Sequence, residues 1–141
     1  MVGRSRGLER FEISAIFALL GSIVVYFLGG ADTLLIVAGT FIFLDLVTGL
    51  SKGAITKTMN SNKGWKGILR KTMYLVAIGV GEGLDKVTVL DDAGLSFRTV
   101  MLCYVIGTEG ISILENLSVM GIKMPKKIES ILEKLKDDEP D

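Results

Sequence analysis

Long runs of apolar residues, separated by charged or glycine-rich stretches, dominate the chain up to residue 117. The first run, residues 13–31, carries no charged side chain, and about 20 such residues let a helix cross a bilayer. Three further runs each contain a single acidic residue; they are residues 33–50, 72–84 and 99–114. The pattern predicts four short transmembrane helices, near residues 13–30, 33–51, 68–85 and 96–116.

The third run is the shortest, so its membrane crossing needs independent support. Residues 72–84 form only about 20 Å of helix, which requires extension into the flanks or a thinner bilayer. Lysine and arginine collect on the cytoplasmic side of membrane proteins. Here they concentrate before the first run, between the second and third runs, and after the fourth. Four crossings bring these basic segments to one side, which predicts cytoplasmic N and C termini.

The first run also has features of a secretory signal peptide. Arginines precede it, and it ends in the small residues Gly29, Gly30 and Ala31. Because three more candidate spans follow and the uncleaved topology explains the charges, retention as a membrane anchor is favoured.

The predicted organisation has three parts. Residues 1–12 form a basic cytoplasmic arm, residues 13–117 form the transmembrane domain, and residues 118–141 form an amphipathic and charged cytoplasmic tail. In the tail, apolar residues recur at helical spacing after Pro125, at Ile128, Ile131, Leu132 and Leu135. The chain is therefore expected to be an all-α membrane protein with a short amphipathic C-terminal helix.

Composition agrees with a membrane environment and excludes several classes of chemistry. Of the residues, 49% are hydrophobic, and the mean hydropathy is +0.49. Sixteen basic and sixteen acidic residues cancel, so no global charge favours nucleic acid as a partner. There is no histidine, and the single cysteine excludes an internal disulfide. We predict no catalytic, cofactor-binding or metal site, and we expect the protein not to be an enzyme.

Acidic residues inside three of the predicted helices need compensation. An acidic side chain at the bilayer centre costs about 2.5–3.5 kcal/mol if it faces lipid, and Asp45, Glu82 and Glu109 all lie in apolar runs. Two of them begin polar rows at helical spacing. The predicted polar seams are Asp45, Thr48 and Lys52 on the second helix, and Glu109, Ser112 and Asn116 on the fourth.

Two interpretations of the seams remain open. They can hold the four helices together, with Asp45 neutralised by Lys52 or another nearby base. Alternatively, they can face a water-filled space or polar contacts between copies during assembly. Glycine pairs at GxxxG spacing favour close helix packing in general; they are Gly49 with Gly53, and Gly79 with Gly83.

Two stretches of the sequence resemble the toxin secretion/phage lysis holin family. The first matches the family pattern D-x-x-T-G-x-x-K-x-A from Asp45 and continues with N-S and G-x-x-G-x-x-x-K, which here are Asn60, Ser61, Gly64, Gly67 and Lys71. The second matches E-G-x-S-x-x-E-N from Glu109, including Glu115, and continues to Pro125. Asp85 and Arg98 also look like family positions. The resemblance covers roughly residues 40–136.

The resemblance implies a phage-type holin. Such a protein is expected to enter the host bacterial cytoplasmic membrane as a multi-pass protein, form a homo-oligomer and open lesions. Endolysin or a secreted toxin would escape through them without necessarily binding the holin directly, and lysis would follow. The predicted partners are thus membrane lipid and further copies, and no nucleic acid.

The alternative function is a small regulated ion channel or transporter subunit that binds an ion at Asp45 or Glu109. An intramembrane enzyme is disfavoured, because neither histidine nor a recognisable nucleophile accompanies the carboxylates.

Overall fold

The computed structural model describes residues 2–58, 61–88 and 96–137 of the chain. These residues form helices and connections, with no strand among them, and the predicted all-α fold class is confirmed. The helices in chain order are α1 (Val2–Phe27), α2 (Thr33–Ile55), α3 (Ser61–Val87), α4 (Phe97–Val119) and α5 (Lys126–Asp137).

Three of the described helices are long and apolar enough to cross a membrane. Their spanning segments are Arg10–Phe27, Thr33–Ile55 and Phe97–Val119. Helix α3 has 27 residues, about 40 Å at 1.5 Å per residue, but it carries more charge than these segments. The crossing predicted for residues 68–85 therefore stays a prediction.

The connection between α1 and α2 follows from its local sequence. Gly29 and Gly30 have φ angles of +84° and +100°, a region in which side chains are strained, so α1 ends at Phe27 rather than continuing to residue 30. The Asp32 side chain then caps α2, because its Oδ1 accepts a hydrogen bond from the Leu35 amide at 2.8 Å. The result is a tight turn between α1 and α2.

Helix α3 starts earlier than the sequence pattern predicts. The predicted span begins near residue 68, but Ser61 already begins the helix. Isolated glycines such as Gly64 and Gly67 are tolerated within a helix at a cost of about 1 kcal/mol each. Asn60 lies outside the described residues.

Helix α4 occupies the centre of the helix packing. It packs against both α2 and α3, and no other pair of helices in the described residues packs as extensively. Asp32 pairs with Arg98, and Gly49 lies beside Asn116, so α2 and α4 run parallel. Lys71 contacts Glu109, whereas Gly81 lies against the backbone of Arg98, so α3 runs antiparallel to α4.

A small apolar core lies between α2, α3 and α4 and includes one residue that follows α1. Its buried members are Leu28, Ala38, Tyr74, Ile78, Leu102 and Val105. The rings of Tyr74 and Tyr104 meet edge to face, with centroids 6.3 Å apart.

Most of the apolar surface outside the core is exposed. No residue between Arg10 and Phe27 of α1 is buried, although large apolar side chains cover that helix. An apolar surface of this extent is typical of a helix that contacts lipid. In α5, Leu132 is buried while Ile131 is exposed.

Candidate functional site

The main polar site is an ion-pair cluster between α2, α3 and α4. Lys71 extends from α3, and its Nζ donates to Asp45 Oδ2 of α2 at 2.9 Å. The same Nζ also donates to Glu109 Oε2 of α4. One ammonium group therefore joins two carboxylates that come from the other two helices of the bundle.

Asn116 extends the cluster along the interface between α2 and α4. Its Nδ2 donates to Asp45 Oδ1 at 3.0 Å and to Thr48 Oγ1 at 3.2 Å. Thr48 Oγ1 in turn donates to the Asp45 main-chain oxygen at 3.2 Å. Both oxygens of the Asp45 carboxylate thus accept a hydrogen bond from another helix.

The cluster is buried and has an excess of negative charge. The Glu109 side chain is fully buried, and those of Lys71 and Asp45 are 12% and 10% exposed. Glu109 Oε1 is buried and has no hydrogen-bond partner among the described residues. Because one ammonium faces two carboxylates, the cluster carries a net charge of −1 when all three groups are ionised, and an uncompensated charge is costly away from water.

A second polar cluster surrounds Arg98 at the opposite end of α4. The guanidinium donates through Nε to the Leu28 carbonyl at 2.6 Å and through Nη2 to the Gly30 carbonyl at 3.2 Å. Its Nη1 lies 2.5 Å from Asp32 Oδ2, and its Nε lies 3.7 Å from Glu82 Oε2. Arg98 therefore connects the α1–α2 turn to α3 and α4.

Asp85 and Ser96 complete this second cluster at the start of α4. Asp85 accepts hydrogen bonds from the Phe97 and Arg98 amides at 2.7 and 3.0 Å, and from Ser96 Oγ at 2.7 Å. A carboxylate at the positive end of a helix satisfies amides that have no partner within the helix. Asp85 thus fixes the end of α3 to the beginning of α4.

The pKa of Asp32 reflects its contacts with Arg98 and with the Leu35 amide. The hydrogen bond from Arg98, followed by that from the Leu35 amide, lowers the pKa of the Asp32 carboxyl from its ordinary value. Asp32 is half exposed, so solvent screens part of this interaction.

The structure brings most of the two predicted polar seams together. Asp45, Thr48, Glu109 and Asn116 belong to the Lys71 cluster, and Lys52 and Ser112 line a cavity beside it. Asp45 pairs with Lys71 on another helix rather than with Lys52 of its own helix. Glu82 instead lies in the Arg98 cluster, where it also pairs with Lys86 at 3.1 Å.

The predicted packing glycines have different surroundings. The Phe27 ring occupies the space that a Cβ at Gly79 would need. A Cβ at Gly49 would lie 3.6 Å from Asn116 Nδ2. A Cβ on Gly83 would meet nothing within 4 Å. Gly81, between the two members of that pair, packs against the start of α4, because a Cβ built on it would lie 3.0 Å from the backbone of Arg98.

The remaining motif residues lie in three regions. Gly64 and Gly67 line the same cavity as Lys52. Pro125 comes directly before α5, and its carbonyl accepts hydrogen bonds from the first turn of that helix. Glu115 is partly buried on α4. Within the described residues, no group of three or more histidine, cysteine or acidic side chains is arranged to hold a metal ion.

Sequence reasoning did not foresee the roles of Lys71 and Arg98 as centres of clusters. The sequence identifies Lys71 and Arg98 only as positions that resemble the family pattern. The signal that could have identified them is charge balance: each is a basic residue that enters a predicted span in a chain whose other spans carry carboxylates.

Comparison with known proteins gives a consistent answer. The profile of the bacteriophage holin family matches residues 22–137, which include both clusters. The chain belongs to the bacteriophage holin family. A probable holin of Bacillus phage phi105 is 34% identical over 96 residues, covering 67% of this chain and 68% of the phage protein. The resemblance inferred from the sequence motifs is thereby confirmed.

Bacterial relatives of this holin family member are also similar. An uncharacterised 14.9 kDa protein of Clostridium perfringens is 40% identical over 116 residues, covering 82% of this chain and 86% of the relative. The uncharacterised protein YqxH of Bacillus subtilis is 31% identical over 134 residues, covering 93% and 91%. No solved structure matches the chain. Family membership together with the apolar helices identifies a membrane protein.

Proposed function

We propose that this holin inserts into the bacterial cytoplasmic membrane as a multi-pass protein, forms homo-oligomers and opens lesions that release endolysin or a toxin and trigger lysis. Family membership over residues 22–137 provides the general basis. The observation that carries the mechanism is the Lys71 cluster, in which three charged side chains are stable in lipid only while α2, α3 and α4 stay together.

The alternating directions of the helices support four membrane crossings. The α1–α2 turn, the end of α3 and the start of α4 meet around Arg98. The α2–α3 connection lies at the opposite end of the bundle, because α2 and α4 run parallel and α3 runs antiparallel to them. In α3, Lys71 and Glu82 both have charged partners, which lowers the cost of placing this helix in a membrane.

The charges of the Lys71 cluster provide a physical reason for lesion formation. Separating the helices would expose two carboxylates and an ammonium group to the surroundings, and the bilayer interior accepts such groups only beside water or other copies. We infer that copies exchange the contacts of the Lys71 cluster for contacts around a water-filled opening. Non-specific lesions need no substrate site.

Expression in bacteria together with a cytosolic muralytic enzyme tests this proposal. We expect a delayed and sudden loss of viability, with passage of the enzyme to the cell wall. An unaffected membrane potential at high expression would contradict the proposal. The Glu109→Gln variant at equal membrane levels serves as the matched comparison for timing.

A second candidate function is a small ion channel or transporter subunit, favoured by the buried carboxylates Asp45 and Glu109. Liposomes separate the two functions. Lesions release dye-labelled proteins trapped inside the vesicles, whereas a channel retains the proteins and conducts selected ions.

A further inference from the structure

A cleft opens between α2 and α3 on the side of the Lys71 cluster that faces the α2–α3 connection. It is an open cleft of about 900 Å³, and Ser112 and Asn116 of α4 also line it. It exists because α4 packs against both neighbours while α2 and α3 do not pack as extensively on each other in the described part of the chain. Glycines line both walls, among them Gly53 on α2 and Gly67 on α3.

The charged groups of the cleft are mostly cationic. Four charged side chains line it, and three of these, Lys52, Arg70 and Lys71, are basic. Lys71 is committed to Asp45 and Glu109. Neither Lys52 nor Arg70 forms an ion pair with another described residue, so both remain available to an anion that enters the cleft.

The apolar part of the cleft points to the kind of anion. Leu46, Leu50 and Ile68 line it and are 39%, 56% and 49% exposed. Trp65 lies beside them and is 66% exposed, and the amphipathic indole ring favours the headgroup level of a bilayer. A site that combines cationic and exposed aliphatic side chains matches a phosphate that carries acyl chains better than it matches free phosphate.

We propose that the cleft between α2 and α3 is a binding site for one anionic phospholipid, with the headgroup phosphate at Lys52 and Arg70 and an acyl chain along Leu46 and Leu50. The occupant separates α2 from α3 next to the Lys71–Asp45 ion pair. This inference rests on the proposed multi-pass insertion, but it does not depend on lesion formation.

The single tryptophan of the chain provides the measurement, because Trp65 lines the cleft. The full-length protein is reconstituted in phosphatidylcholine vesicles that contain a small fraction of phosphatidylglycerol with a spin label near its headgroup. A second series contains the same fraction of spin-labelled phosphatidylcholine. Quenching of Trp65 fluorescence then gives the relative affinity of the two lipids for the cleft.

We expect phosphatidylglycerol to quench Trp65 at a concentration at least tenfold lower than phosphatidylcholine, on the order of the effect of two basic residues near a membrane surface. The double variant Lys52→Gln and Arg70→Gln should bring the ratio close to one. Lys126→Gln with Lys127→Gln removes the same charge from α5, outside the cleft, and should leave the ratio within about twofold of the wild type.

Three results would overturn the inference. The wild type could show equal quenching by both lipids, a finding that requires no variant to fold. The α5 control could reduce the preference as strongly as the cleft variant, which would indicate general surface charge. Millimolar inorganic phosphate could abolish the preference, which would indicate a free phosphate site. Protein release from the same vesicles is recorded separately, so failure of lesion formation is distinguished from failure of lipid binding.

Discussion

The two polar clusters of this holin use a basic residue in opposite ways. Arg98 binds main-chain carbonyls of the α1–α2 turn and a half-exposed carboxylate, Asp32. Lys71 binds only side-chain carboxylates, and both belong to other helices. Main-chain carbonyls cannot lose their polarity, whereas carboxylates can be protonated. We therefore infer that the Arg98 cluster fixes the packing of the helices, whereas protonation of a carboxylate can change the stability of the Lys71 cluster.

The largest expected effect comes from removing Lys71. In Lys71→Met, two buried carboxylates face each other without a cation, and we expect a loss of about 3–5 kcal/mol in the free energy of unfolding. Denaturation in mixed micelles measures it. Lys71→Arg is the matched control, since it keeps the charge. Adding Asp45→Asn and Glu109→Gln to Lys71→Met should restore most of the stability, and an additive further loss would contradict the assigned pairing.

Arg98→Gln should have the next largest effect. The variant loses the charge-assisted hydrogen bonds to Leu28 and Gly30 and the ion pair with Asp32, and we expect a cost of about 2–3 kcal/mol. Protease accessibility of the α1–α2 turn in detergent measures the local loss. If cleavage increased instead between α2 and α3, Arg98 would not be holding the turn.

Glu109→Gln should change timing more than stability. The substitution removes the excess negative charge of the Lys71 cluster and retains its shape, so we expect delayed lysis at normal membrane levels. Asp45→Asn is the comparison on the other helix. Because Asp45 Oδ1 accepts a hydrogen bond from Asn116 Nδ2 in the wild type, we expect this variant also to perturb the α2–α4 contact. Unchanged lysis timing in both variants would show that the Lys71 cluster does not control the triggering of lysis.

The sequence could predict one side of the Lys71 cluster but not its centre. Asp45, Glu109 and Asn116 were recognisable because polar residues at helical spacing in an apolar run need partners. Their partner was not, because nothing in the spacing of α3 indicates that Lys71 faces between α2 and α4. The all-helical fold followed from hydrophobic periodicity, whereas the early start of α3 did not, because its first residues are typical turn formers.

Glycine substitutions in α3 test the attachment of α1 to the Arg98 side of the molecule. In Gly79→Ala the new methyl group displaces the Phe27 ring, and we expect a net cost of up to about 1 kcal/mol. Gly83→Ala is the matched control. Its Cβ meets nothing within 4 Å, so the change should stabilise the helix by up to about 1 kcal/mol. Thermal denaturation in detergent compares them, and equal shifts would exclude the Phe27 contact as the cause.

The smallest effect concerns pH at the Arg98 cluster. The pKa of Asp32 is lowered in the folded protein, first by the hydrogen bond from Arg98. Its contribution to stability is therefore complete above the ordinary aspartate pKa and declines as pH falls through the lowered value. Asp32→Asn should remove this acid-dependent part of the unfolding curve below about pH 4. A curve with the wild-type pH dependence would show that another group is responsible.

The position of Lys71 between its two partners in the chain has a consequence for biosynthesis. Asp45 precedes Lys71, and Glu109 follows it, so the ribosome completes α2 and α3 before it adds the second carboxylate. At that stage α2 and α3 already contain one acid and one base of the Lys71 cluster, which can neutralise each other. Glu109, the carboxylate that makes the charges of the cluster unequal, is thus synthesised last. It belongs to α4, the helix that packs against both α2 and α3.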